Sequence, residues 1–393
     1  MAQARRLRVV FVAHAFPRHA DDLPGGFLLE LAAALEREGV EVEAVSPSAP
    51  GLPARDRLHG VVVRRYRYAP RRAETLAYGG TMHERAASPG GALALAGLLT
   101  AGTLALRRAA AGADLLHAHW WFPGGVQALA AGRRPLVTTL HGTDVRLARS
   151  RRTARAACAR VLRASAVVTA VSTWLRDEAA TIAPDCADRI RVAPMPVDET
   201  AFSPGNGRAR AELLFVGRLD RQKGADLALQ ALAELHGPAA ELPLRVVGSG
   251  PLEAELRRLA EELGVAGRVR WEAGLPREAL ADRYRQAAAL LVPGSDEGLG
   301  LVAVEGQLSC APVIAAASGG LLDVVCDGDT GWTFPPGEAS ALARVIEEVA
   351  EHPACAAERA AAGHRAAAER FGARAAARTY AAVYGEALGA RSG

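Results

Sequence analysis

The chain has almost no lysine. Of 47 lysines and arginines, Lys223 alone is a lysine, so a single position carries a compact ammonium instead of a planar guanidinium. Cysteine is also scarce. The five cysteines, at 158, 186, 310, 326 and 355, are odd in number and show no C-x-x-C spacing. That counts against a disulfide framework or a zinc site and suits a reducing, cytoplasmic setting. Aromatic residues are only 5% of the chain while half is hydrophobic, a balance that fits an α/β protein rich in Ala, Leu and Val. The net charge of +4 comes from scattered arginines and does not point to nucleic acid. Long apolar runs are missing as well. Ala92 to Leu106 is the longest, carries two glycines, and falls short of the roughly 18 residues a spanning helix needs. The run Val9 to Ala13 is too short for the apolar core of a signal peptide. No transmembrane segment is expected.

At 393 residues the chain exceeds one ordinary core, and two domains are expected. Leu7 to Ala13 reads as a strand, Phe27 to Glu38 as a helix stopped by Gly39, and Val40 to Val45 as a second strand. This is the opening of a doubly wound parallel sheet. Val61 to Tyr68 suggests a further strand, whose arginines and tyrosines fit either a surface for anionic groups or a charged sheet edge. Ala92 to Ala111 reads as a buried helix, with a membrane-interface helix as the alternative. Asp114 to His119 ends as a strand in H-A-H, placing His117 and His119 on one face as metal ligands would be, though no third ligand stands at a telling distance. Leu136 to Leu140 leads directly into His141-Gly142-Thr143-Asp144, where a His would face the ligand crevice or belong to a capping turn. Ala166 to Ala170 is another strand, with Ser172 or Thr173 capping the next helix. A Pro- and Gly-rich stretch from Pro194 to Gly207 reads as a linker, after which strand and helix alternate afresh.

The second half opens on Leu213 to Gly224, L-L-F-V-G-R-L-D-R-Q-K-G. Arg218 and Lys223 fall in the loop after a strand and Gly217, where open α/β sheets hold ligands; together they could clamp a diphosphate. Downstream, Pro293 to Gln307 reads P-G-S-D-E-G-L-G-L-V-A-V-E-G-Q, a glycine-rich helix start beside Glu297 with Glu305 inside the helix. Exposed amides at such a start bind anions. Carboxylates there would accept hydrogen bonds from vicinal hydroxyls. The G-S-G-P-L-E after Leu244 to Val247 is not a dinucleotide fingerprint, because Glu253 replaces its third glycine. Asp327-Gly328-Asp329 is a formal D-x-D, but D-G-D-T-G is a turn signal ahead of a short strand.

In their order, F-V-G-R-L-D-R-Q-K-G, G-S-G-P, E-G-L-G-L-V-A-V-E with its E-x7-E spacing, S-G-G-L-L-D-V-V, D-G-D-T-G-W and H-G-T-D resemble glycosyltransferase family 4 over nearly the whole chain. The resemblance implies the GT-B architecture: two Rossmann-like doubly wound parallel-sheet domains facing each other across a cleft. Residues 1–200 would form the acceptor-side domain, joined by the C-terminal helix 373–393 crossing back, and 201–372 the donor domain. It implies a retaining, metal-independent enzyme with no cofactor, using a UDP- or GDP-sugar as co-substrate. Arg218 and Lys223 would hold the diphosphate, Glu297 the transferred sugar and Glu305 the ribose. Gly298, Leu299, Gly300, Leu301 and Val302 would bind phosphate and sugar through the backbone. Gly25 and Gly26 would form a loop closing over the donor, His141 would sit near the sugar, and Leu275 and Pro276 near the base. Leu299 stands where the family often has phenylalanine, and Gly306 where it often has alanine.

The expected reaction moves a hexosyl group to a hydroxyl acceptor in cell-surface or lipid-linked glycan synthesis, with peripheral membrane contact or a cytoplasmic location. Natural-product glycosylation, a sugar-nucleotide epimerase and a non-catalytic binding protein are the alternatives.

Overall fold

The computed structural model describes residues 5–20, 22, 25–78, 82–132, 134–205 and 210–389, without the side chains of 83 and 84. The chain divides into two compact units, Met1–Pro196 with Ala373–Gly393, and Val197–Gly372.

The first unit is built on eight strands: β1 Leu7–Val12, β2 Val40–Pro47, β3 Arg55–Leu58, β4 Val61–Tyr66, β5 Leu115–His119, β6 Leu136–Leu140, β7 Val167–Ala170 and β8 Ile190–Val192. Their order is β3-β4-β2-β1-β5-β6-β7-β8. All neighbours pair in parallel except β3 with β4. The central strands β5, β6 and β7 are buried throughout, their few polar side chains included, as in a sheet covered on both faces. The second unit carries β9 Glu212–Val216, β10 Leu244–Val247, β11 Val269–Glu272, β12 Ala287–Val292, β13 Val313–Ala316 and β14 Trp332–Phe334. They form an all-parallel sheet in the order β11-β10-β9-β12-β13-β14. The order reverses between β1 and β5 in one sheet and between β9 and β12 in the other. Loops leaving the carboxyl ends of these strand pairs border a ready-made crevice.

Three details differ from the sequence expectation. The Arg- and Tyr-rich strand is not an edge. β3 covers it, Tyr66 and Tyr68 join the core, and the guanidinium of Arg65 is buried, donating to the carbonyls of Pro17 and Arg18 at 3.1 Å each. β3, β8 and β13 were not anticipated. All three are four residues or fewer; β3 and β8 carry charged positions, and β13 lies in an Ala-rich run that reads equally well as helix. The helix expected over Ala92 to Ala111 spans Pro89–Ala110, capped by the Ser88 hydroxyl, and only one of its faces is buried. At 22 residues it is long and apolar enough to cross a membrane by length and composition.

Candidate active site

In the second unit the loop after β9 runs from Gly217 to Gly224, and the helix Ala225–Glu234 starts on Gly224. That glycine has φ +69°, and an added Cβ would meet the Pro293 carbonyl oxygen at 3.0 Å. The loop is therefore held against the one that follows β12. Ser295 N donates to the Gln222 carbonyl at 3.1 Å, and the Gln222 amide reaches back to Ser295 and Asp296. This docking places Lys223 Nζ 2.6 Å from Glu297 Oε1. The Lys223 side chain stays 30% exposed while Glu297 keeps 10%, so the ammonium reaches solvent and the carboxylate is nearly enclosed. Arg218 is exposed on the same loop, its Nε 3.6 Å from Asp220 Oδ2. Gly217 sits under the lysine stem: a Cβ there would lie 3.5 Å from Lys223 Cγ.

Beyond Glu297, the buried residues Gly298, Leu299 and Gly300 lead into the helix Leu301–Leu308. Gly300 caps it in the left-handed conformation, φ +88°. The first intrahelical bond is Ala303 N to the Gly300 carbonyl, so the amides of Leu301 and Val302 precede the ladder, as in an anion-binding helix start. One turn in, Glu305 accepts a hydrogen bond from the Tyr284 hydroxyl at 2.7 Å. Burial pushes its carboxyl up to about 7, a rise that the Tyr284 bond and the charges of Arg277 and Lys223 partly oppose. Leu275 and Pro276 follow β11, and Pro276 caps the helix Arg277–Gln286 that carries Tyr284.

The structure thus brings Arg218, Lys223, Glu297, the 298–302 backbone and Glu305 to the carboxyl ends of β9 and β12, with Leu275 and Pro276 at that of β11. Two features support the site, Tyr284, which was not singled out from sequence, and the glycine pair of the S-G-G-L-L-D-V-V motif. Tyr284 is a fully buried residue of the helix Arg277–Gln286, and its partner Glu305 lies on another helix. The Gly319-Gly320 turn braces the site from behind: Gly320 N donates to the Glu297 carbonyl at 2.8 Å, and a Cβ on Gly320 would stand 2.2 Å from the Gly298 carbonyl oxygen.

His141, Gly25 and Gly26 belong to the first unit. Gly25, φ +76°, caps the helix Gly26–Arg37, and a Cβ there would overlap the Ala15 carbonyl oxygen at 1.7 Å. The glycine pair is thus a tight helix start rather than a free loop. It sets Phe27 against His141, ring centroids 5.3 Å apart, and Trp120 lies across the same imidazole at 4.4 Å. Asp144 ties the turn together. Its Oδ1 accepts from the backbone of His141, Gly142 and Val145, and Oδ2 from that of Trp121. The H-G-T-D segment is thus a turn held by its own aspartate, as the turn reading expects, and it carries His141 at the carboxyl end of β6. Burial holds the Asp144 carboxyl up at about 6 and the His141 imidazole down at about 3, the latter helped by His14. A neutral His141 results.

His141 Nε2 is 3.2 Å from His119 Nδ1, a contact the sequence did not suggest, leaving Nδ1 as the nitrogen without a protein partner among the described residues. His117 is engaged on both sides, by the Tyr384 hydroxyl at 2.8 Å and Thr139 Oγ1 at 2.6 Å. With both nitrogens occupied it has no lone pair for a metal. The Asp327-Gly328-Asp329 segment closes a turn, Asp327 Oδ1 accepting from Thr333 N at 2.7 Å.

Two Rossmann-like doubly wound sheets, one all-parallel and the other parallel but for β3, have the GT-B architecture, and the comparisons give the activity. A family profile described as "Glycosyl transferases group 1" matches residues 197–369, and one described as "Glycosyltransferase Family 4" matches 25–201. A D-inositol 3-phosphate glycosyltransferase from Streptomyces scabiei is 33% identical over 98% of this chain and 92% of its own length. A second such enzyme, from Catenulispora acidiphila, is 33% identical over 84% and 82%. Sucrose-phosphate synthase from Thermosynechococcus elongatus superposes with a TM-score of 0.80 at 24% identity, covering 98% of this chain and all of that one. The catalytic domain of starch synthase IV from Arabidopsis thaliana does so at 0.73 and 14% identity, covering 98% and 100%. The chain belongs to glycosyltransferase family 4 and is a glycosyltransferase.

Proposed function

We propose that this transferase moves a hexosyl group from a nucleoside-diphosphate sugar, UDP- or GDP-type, to a hydroxyl acceptor with retention at the anomeric carbon. The observation that carries this reading is the Lys223–Glu297 contact at 2.6 Å beside the amide-lined start of the helix Leu301–Leu308. Lys223, Arg218 and the amides of Leu301 and Val302 face the diphosphate; Glu297 accepts hydrogen bonds from the transferred sugar, and Glu305 from the ribose. Leu275 and Pro276 flank the base. His141, neutral, is the first unit's candidate for a sugar contact, with Gly25 and Gly26 at a helix start of the same unit.

The chemistry follows from this charge distribution. The anomeric carbon–oxygen bond breaks as negative charge grows on the leaving diphosphate, and fixed positive groups stabilise that charge without reorganising. The acceptor hydroxyl attacks from the face the diphosphate leaves, passing its proton to the departing phosphate oxygen. The arginine, the lysine and the helix start supply the positive potential, so no metal is required. The acceptor belongs to cell-surface or lipid-linked glycan synthesis in this reading. Action in the cytoplasm, where five unpaired cysteines stay reduced, is part of the same proposal.

A donor-hydrolysis screen over UDP-, GDP- and dTDP-sugars, with and without EDTA, tests it. Slow release of one sugar as the retained anomer, unchanged by EDTA, is expected. Loss of hydrolysis in EDTA contradicts the metal-free step, and interconversion of the nucleotide sugar without release makes the protein an epimerase.

A further inference from the structure

The helix Pro89–Ala110 is two-sided in an unusual way. Its inner face, Ala94, Leu98, Gly102 and Leu106, packs into the first unit's core with Tyr66, Tyr68 and Leu116. Its outer face, at helical spacing, runs Pro89, Leu93, Ala96, Thr100 and Leu104, and is just as apolar. Leu93 is 76% exposed and Leu104 52%. The threonine hydroxyls of the helix are satisfied by its own backbone: Thr100 Oγ1 donates to the Ala96 carbonyl at 2.9 Å, and Thr103 Oγ1 to that of Leu99 at 2.8 Å. A water-facing helix would carry charges here; this one carries none until its last turn.

Charge then appears with one sign. Arg107 and Arg108 are exposed at the helix end, and Arg71 and Arg72 are exposed on the segment whose Tyr68 backbone packs against Gly97. From Arg85 to Ala113 the chain has no Asp or Glu. We infer that this outer face docks on a bilayer surface containing anionic lipid, Leu93 and Leu104 entering the interface while the arginines meet the headgroups. The helix lies on the bilayer and does not cross it, because spanning would strip Leu98 and Leu106 from the core. A second copy is the poorer occupant: pairing these faces gathers arginines with no acid in the stretch to meet them.

The inference goes beyond the transferase reading and is tested without turnover. The full chain is sedimented with vesicles of phosphatidylcholine alone or mixed with phosphatidylglycerol. It is expected to pellet with the mixed vesicles, to be released by salt, and to stay largely soluble with the neutral ones. Leu93→Ser with Leu104→Ser is expected to cut partitioning about tenfold or more, and Arg107→Gln with Arg108→Gln to abolish the preference for the anionic vesicles. All four side chains are exposed and none lies at the active site, so donor hydrolysis remains at the wild-type level; because Arg107 also donates to the Ala130 carbonyl at 2.8 Å, Arg108→Gln alone serves as the control for stability. No pelleting, or variants that pellet as the parent does, overturns the inference. So does a wild-type dimer that the leucine variant splits while neither protein binds vesicles.

Discussion

Glu305 keeps its proton to about pH 7 because it sits inside the protein and the Tyr284 hydroxyl only partly offsets the lost hydration. Two consequences follow at the scale of this residue. If the ionised carboxylate is the form that accepts from a ribose, donor KM should rise as pH falls below about 7. Tyr284→Phe, which removes a bond favouring the charged form, should move that midpoint upward; a pH profile of donor KM for both proteins checks this. The second consequence concerns stability. The folded pKa lies above the unfolded one, so the contribution of this group is fully present below about 4.5 and is lost as pH rises through about 7. Glu305→Gln is therefore expected to raise Tm at pH 8 and leave it nearly unchanged at pH 4, measured by thermal melts at both. In the first unit, His119 acts through His141. His119→Leu, which removes the 3.2 Å ring contact, should lower kcat, while His119→Asn, which can still donate in place of Nδ1, should retain most of it.

At the scale of the element, glycine decides how closely the loops approach. Gly306, where the family often has alanine, faces Leu290 across the helix–sheet contact, and a Cβ would stand 2.3 Å from Leu290 Cδ2. Gly306→Ala is expected to cost about 1–3 kcal/mol by overpacking, read from denaturant melts, unless Leu290 is shortened too. Leu290→Val in the same chain should recover part of the loss. Gly25 is less forgiving. Its positive φ and the 1.7 Å approach to the Ala15 carbonyl leave no room for any side chain, so Gly25→Ala should displace the helix start and with it Phe27 from His141. Loss of turnover larger than loss of Tm is the expected pattern.

Across the whole molecule, two sheets place unlike chemistry on their switch-point loops: fixed cations and carboxylates on the second unit, neutral imidazoles on the first. Much of this was legible in the chain. Lys223 stood out by scarcity, the E-x7-E spacing put Glu297 before a helix and Glu305 within it, and apolar runs marked most strands. What escaped detection depended on distant partners. The bond between His119 and His141 joins β5 to the turn after β6, and Tyr284 reaches Glu305 from another helix; no local spacing encodes either. Short strands such as β3 and β8 escaped because pairing, not alternation, defines them. The burial of Arg65 is likewise a tertiary fact, since a charged strand reads as an edge until another strand covers it.

The central claim is that the Lys223 ammonium stabilises charge on a leaving diphosphate. Single-turnover and steady-state hydrolysis of the identified donor by the parent and by Lys223→Ala test it most directly. The account predicts a fall in kcat on the order of 10²-fold or more for the variant, by analogy with losing one preorganised donor, while the variant stays folded at the assay temperature. A folded Lys223→Ala protein that turns over its donor at the parent rate would contradict it.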